Sequence, residues 1–279
     1  MLFASEWISK PSHSTNSHPL LFLPYLLLQP GYEEHSGTPN DTENFKLLLN
    51  DVRAALDALE VETGKTYGLT AALPCGPNHI ANMDIAHVAS VLSELNLMTY
   101  DLHGSWSDVT GFNAPLYYQG WGDPEFNVHS CVENWLAGGG SRSKINIGLP
   151  FYGRSALGAT GPNQPHVGSD TAHWGEDEGT PQYFNIVAKY GELNLYWDET
   201  TWTNWGYFNG GDFISFDDEV AICAKTEFVQ HHDLNGFIIW EISGVSRVCS
   251  QQSFLPLSIW FTTVFTDFSF SFLLSLSRI

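Results

Sequence analysis

The chain reads as an α/β protein, a partial (β/α)8 barrel with a small inserted α+β lobe, on three observations. Apolar runs of strand length alternate with segments of helical period. Successive strand, helix and strand units follow with short connections, which favours a parallel sheet with right-handed crossovers. One long polar and aromatic stretch, about 158–212, interrupts the alternation and reads as a lobe set into the repeat.

The elements follow in order. Residues 42–59 carry Phe45, Leu48, Leu49, Val52, Leu56 and Leu59 at helical spacing, which predicts an amphipathic helix. Residues 66–73 (TYGLTAAL) predict a buried strand stopped by Pro74. A helix over 83–93 and a strand over 95–100 (LNLMTY) come next, then a helix over 128–137 and a strand over 144–151 (KINIGLPF). After the lobe, 220–231 predicts a helix and 236–242 (GFIIWEI) a last buried strand. Four strands with short connections and right-handed crossovers make half of an eight-stranded barrel.

Composition sets limits on function. Eleven Lys and Arg face 31 Asp and Glu, a formal charge of −20, which excludes binding that relies on neutralising phosphates, so no nucleic-acid partner is expected. With 43% hydrophobic and 15% charged residues, the chain has the apolar matter for a core. Ten Trp, 11 Tyr and 18 Phe supply flat rings suited to stacking on sugars, although such rings also serve as ordinary core. The four cysteines (Cys75, Cys131, Cys223 and Cys249) form no C-x-x-C pair, so neither a zinc nor a redox motif is written and no metal is expected. One sequon, Asn40-Asp41-Thr42, matters only for a secreted protein.

Both ends differ from the middle. An apolar run at 19–28 has the length of a secretory leader's core, but Glu6 precedes the first cation, Lys10, and Gln29-Pro30 makes a poor cleavage site. The far end, rich in Phe, Ser and Leu, contains Pro256, Asp267 and many hydroxyls, and is not read as a membrane span. The sequence thus divides into 1–29, a body at 30–244 and a tail at 245–279. In barrels of this kind the working side chains stand where strands end. Met98, Tyr100 and Asp101, then Tyr152 and Arg154, and finally Trp240 occupy those ends.

Five strings carry a resemblance: 30–45 (PGYEEHSGTPNDTENF), 96–106 (NLMTYDLHGSW), 111–117 (GFNAPLY), 148–155 (GLPFYGRS) and 236–244 (GFIIWEISG). In order and spacing they resemble the family-18 glycoside hydrolases, the chitinase family, over the second half of its barrel. The resemblance implies a chitin-like polymer of N-acetylglucosamine, or its oligosaccharides, as ligand, an extracellular site of action and no cofactor. In that family the substrate's own acetamido oxygen attacks the anomeric carbon while one glutamic acid protonates the leaving oxygen. By resemblance, Tyr100 donates to the acetamido oxygen, Asp101 binds the sugar beside the scissile bond and Met98 lines the pocket. Trp240 floors the reacting ring, Trp106 offers a platform on the leaving-group side, and Tyr152 and Arg154 form polar walls.

The family's acidic string, D-x-x-D-x-D-x-E, should end just before Pro30. Counting back, the acid falls on Leu28 and the three aspartates on Leu26, Pro24 and Leu21, with Gln29 where an aromatic follows. Leucine has no proton to give, and Glu33 and Glu34 lie in the loop beyond, away from the bridging oxygen. The expectation is therefore a chitinase-like domain that is inactive as written. Three readings follow: a glycosidase whose sequence is truncated or misassembled, a silent chitin-binding lectin, or a fragment that does not fold alone. A half barrel is expected to leave two open sheet edges and an uncovered apolar face.

Overall fold

Helix formation in the body follows its capping residues. The computed structural model describes residues 20–23, 38 and 40–245. Helix α1 (Asp41–Thr63) buries Phe45 and Leu49 and ends at Gly64, whose φ of 66° lets its N–H reach back to the Glu60 carbonyl at 2.8 Å. Asp84 caps α3 (Ile85–Val91) by accepting from the His87 N–H, and Asn127 caps α4 (Val128–Ala137) by accepting from the Ser130 N–H. A single turn, α2 (Pro77–Ile80), precedes α3, and the helix expected over 83–93 is shorter, running from Ile85 to Val91. Asp218 caps α6 (Glu219–His231) through the N–H groups of Val220 and Ala221.

Among the described residues, five parallel strands form the sheet, in the order β1 (Leu20–Leu23), β2 (Gly68–Leu73), β3 (Glu94–Leu97), β4 (Ile145–Pro150) and β9 (Gly236–Trp240). The sequence led to four. The fifth, β1, lies within the apolar run at 19–28 and pairs in parallel with Gly68–Ala71. One set of alternate side chains, Leu69, Ala71, Leu73, Leu95, Leu97, Ile145, Ile147, Leu149 and Phe237, shares a buried cluster with Phe45, Leu49, Val88, Val132 and Trp135 of the helices. The opposite face corrects the expectation of an uncovered apolar surface. It carries Thr70, Asn96 and Asn146, all buried, and Asn146 Nδ2 donates to Asn96 Oδ1 at 2.8 Å and to Glu94 Oε2 at 3.1 Å. These amide and carboxylate partners are why polar side chains can be buried there.

The lobe is an antiparallel four-stranded sheet in the order β5 (Arg154–Leu157), β8 (Asp212–Phe216), β7 (Thr203–Phe208) and β6 (Leu193–Asp198), with α5 (Tyr183–Ala188) against it. It therefore begins at Arg154 rather than near 158 and ends at Phe216 rather than at 212. The reason is non-local: β5 finds its partner in β8, Arg154 opposite Ser215, across the whole insertion. One face of this sheet packs Phe208, Ile214 and Phe216 against the lobe's own Trp174, Tyr183 and Ile186, in one buried cluster with the parallel sheet. Cys75, just past β2, forms a disulfide with Cys131 of α4, a pairing that spacing alone did not specify. Among the described residues, no helix is long and apolar enough to cross a membrane.

Candidate functional site

Parallel strands deliver their carboxyl ends to one rim. Strand β3 ends at Leu97, shorter than the strand expected over 95–100, and Met98 leaves it with its N–H on the Leu73 carbonyl. The chain then turns sharply at Asp101, which holds a left-handed φ of 59°. Asparagine and aspartate tolerate that conformation better than other residues with a side chain. Its backbone N–H is fixed by Asn113 Oδ1 at 2.9 Å.

That turn brings together three of the expected residues. Tyr152 Oη donates to Asp101 Oδ1 at 2.7 Å, and Arg154 reaches the same oxygen with Nε at 2.8 Å and Nη2 at 2.7 Å. Arg154 Nη1 also donates to Thr180 Oγ1 at 3.0 Å. Tyr152 is almost wholly buried, and burial with the adjoining Asp101 carboxylate pushes its phenol well above the ordinary tyrosine range. It therefore stays a neutral donor. The Tyr100 ring meets that of Tyr152 edge to face, centroids 6.1 Å apart. Gly148 of β4 makes room for it, since a β-carbon there would stand 2.5 Å from the Tyr100 ring.

Two indoles stand beside the cluster. Trp240, at the end of β9 and opposite Pro150 in register, is 48% exposed, and Trp106 is 58% exposed with the Arg154 guanidinium 5.0 Å from its ring centroid. Large apolar rings left this open are the part of a surface that invites a ligand with an apolar face. Met98 is half-buried at the same rim. Leu28, Glu33 and Glu34 lie outside the described residues, as do residues 1–19, most of the leader-like run at 19–28 and the tail from 246 onward. The lobe tryptophans divide: Trp174 is buried in the core, Trp197 and Trp205 are partly covered, and Trp202 is 39% exposed.

Sequence reasoning passed over Asn113 as a site residue, although it lies in the string 111–117. Fully buried, it holds the Asp101 backbone with Oδ1, the Tyr152 carbonyl with Nδ2 at 3.4 Å and Ser215 Oγ with its own N–H at 3.0 Å. It thus joins β3, β4 and the lobe at one point. Thr180 was also missed, its contact to Arg154 being made 26 residues away in sequence.

A parallel α/β sheet whose carboxyl rim gathers a hydrogen-bonded Asp–Tyr–Arg cluster beside exposed indoles defines a barrel-type domain with its site on the rim. The chain belongs to family 18 of the glycosyl hydrolases, whose profile matches residues 26–244. It is 33% identical over 230 residues to chitinase A1 of Niallia circulans, an alignment covering 77% of this chain and 33% of that one. Chitinase 1 of Aphanocladium album is 31% identical over 219 residues, covering 77% and 51%. The chain thus spans about a third to a half of the length of these relatives. Among solved structures, it superposes on the family-18 N-acetylglucosaminidase of Paenibacillus barengoltzii with a TM-score of 0.72 at 30% identity, covering 80% of this chain and 66% of that one. The Group IV chitinase of Ostrinia furnacalis gives a TM-score of 0.74 at 27% identity, covering 88% and 68%.

Proposed function

We propose that the rim is a cleft for chito-oligosaccharides, and that this chain grips the sugar without hydrolysing it. The observation that carries the reading is one oxygen, Asp101 Oδ1, held by both Tyr152 and Arg154 beside Trp106, with Trp240 at the end of β9 on the same rim. Such an arrangement leaves the other carboxylate oxygen for a sugar hydroxyl or amide. Tyr100 donates to the acetamido oxygen, Met98 lines the pocket, and the faces of Trp240 and Trp106 take the apolar faces of successive sugars.

Cleavage needs a proton delivered to the bridging oxygen, and in sequence the position for it is Leu28. Losing a positioned general acid costs about 10² to 10⁴-fold in rate. Action outside the cell suits the Cys75–Cys131 disulfide, since such bonds persist in oxidising compartments. The test uses the purified full chain on insoluble chitin and on a chromogenic chito-oligosaccharide glycoside. Binding without release of chromophore is the expected result. Release that disappears in Asp101→Asn would overturn the account of Leu28, and absence of both binding and release would overturn the cleft itself.

A further inference from the structure

Away from the rim, at the opposite end of β5 from Arg154, three ligand-type side chains converge on one point. We propose that Asp170, His173 and Asp212 form a divalent-cation site of the zinc class that fastens the lobe's long loop to strand β8. Asp170 is fully buried, and its Oδ1 accepts the backbone N–H groups of Ala172 at 3.1 Å and His173 at 3.0 Å. Its other oxygen, Oδ2, lies 2.8 Å from His173 Nδ1. Asp212 opens β8 and uses Oδ1 to accept the Gly158 N–H at 2.9 Å, which turns its Oδ2 to 3.4 Å from that same Nδ1. The three ligand atoms all lie within 4.8 Å of one another. His173 is in turn fixed by its ring, stacked on Phe208 at 3.9 Å and 11°.

Each carboxylate thus has one oxygen anchored by backbone and the other aimed at the point the imidazole nitrogen faces. Anchoring of that kind is what outer contacts do for metal ligands. Zinc bonds of about 2.0–2.2 Å in a tetrahedron separate ligand atoms by about 3.4 Å, the His173–Asp212 separation already present, so the closer His173–Asp170 pair must open. One nitrogen and two oxygens suit zinc, whereas calcium takes six to eight oxygens. Side-chain exposures of 32% at His173 and 15% at Asp212 leave an open side for water as the remaining ligand.

Binding requires His173 Nδ1 without a proton, so that proton moves to Nε2 or, from an imidazolium, to buffer as the cation enters. Without a metal, His173 Nδ1 faces the two carboxylate oxygens directly, at 2.8 and 3.4 Å. Both arrangements tie Gly158, Asp170 and His173 to Asp212, but only one holds metal.

The test takes the full chain, stripped with a chelator, and titrates it with Zn²⁺ and separately with Ca²⁺ by calorimetry, with melting followed in parallel. One equivalent of Zn²⁺ and a raised melting temperature are expected, and Ca²⁺ is expected to be far weaker. Asp212→Asn, which keeps an acceptor for Gly158, and His173→Gln are each expected to lower Zn²⁺ affinity at least about tenfold. Their metal-free melting serves as the control for folding. No uptake of Zn²⁺ by the unaltered chain, equal uptake by both variants, or Ca²⁺ bound as tightly as Zn²⁺ would overturn the proposal.

Discussion

Tyr152 and Asp101, 51 residues apart, meet through a 2.7 Å hydrogen bond that ties the end of β4 to the turn after β3. The turn itself depends on the residue type, because Asp101 sits at a left-handed φ of 59°. Two substitutions separate these roles. Asp101→Asn keeps the backbone preference and removes the charge that Arg154 and Tyr152 share; it is expected to reduce chito-oligosaccharide affinity about tenfold, the loss of one charge-assisted bond. Asp101→Ala is expected to lose the same affinity and to be about 1 kcal/mol less stable than the asparagine variant, from backbone strain. Calorimetry with chitotetraose and chemical unfolding check this, and equal stability of the two variants would contradict the role given to the turn.

The exposed indoles should act on affinity and not on stability. Trp240→Ala removes a ring that is 48% exposed, so unfolding free energy is expected to stay within about 0.5 kcal/mol. Affinity for chitotetraose is expected to fall by about 2 kcal/mol, roughly 30-fold, as for an aromatic anchor in a binding surface. Trp106→Ala is expected to behave alike, with an added loss of order at Arg154, whose guanidinium rests on that ring. A melting temperature that drops with either substitution, at unchanged affinity, would make these rings part of the core.

How much of this was readable beforehand depended on whether the signal was local. Helix α4 was placed to the residue, because Asn127 caps it and Val128, Cys131, Val132 and Trp135 repeat at helical spacing. Strand β1 was not assigned, because an apolar run at 19–28 reads equally as a leader core and only its pairing with β2 reveals a strand. The lobe's edges were misplaced because β5 has four residues and its partner lies across the insertion. At the site, Asp101, Tyr152, Arg154 and Asn113 all stood in recognisable strings, but Asn113 sits in a loop without period, where no local signal shows an amide that three segments use. The Cys75–Cys131 pair was open because four cysteines allow several pairings.

That disulfide predicts a redox dependence. It joins residues 56 apart, linking the turn after β2 to α4. Closing a loop of that length removes chain entropy from the unfolded state worth about 4 kcal/mol, within the 2–5 kcal/mol found when native disulfides are lost. A double change, Cys75→Ser with Cys131→Ser, is expected to lower unfolding free energy by that order. Denaturation of the unaltered chain with and without reductant should give the same difference. A change under 1 kcal/mol would show that the bond adds little to this fold.

Stability should fall on both sides of neutrality for separate reasons. His103 is largely buried, with its ring against Trp121 and Phe126, and burial lowers its pKa. Below about pH 6.5 the unfolded chain takes up a proton that the folded imidazole refuses, so the stability present above that pH is lost as pH falls toward the lowered folded value. Tyr152 works in the opposite direction: its folded pKa is raised by burial and by Asp101, so stability is lost as pH rises above about 10, where the unfolded phenol ionises first. Tyr183 and Tyr190 are raised by burial as well and add to the alkaline limb, while His232, lowered by burial and by His129 and His231, adds to the acid one. Each group contributes at most about 1.4 kcal/mol per pH unit between its two pKa values. His103→Gln is therefore expected to flatten the acid limb and leave the alkaline limb alone, and Tyr152→Phe to do the reverse. Unfolding free energies measured by denaturant from pH 4 to 11 decide it, and a His103→Gln acid limb as steep as that of the unaltered chain would place the acid-sensitive proton elsewhere.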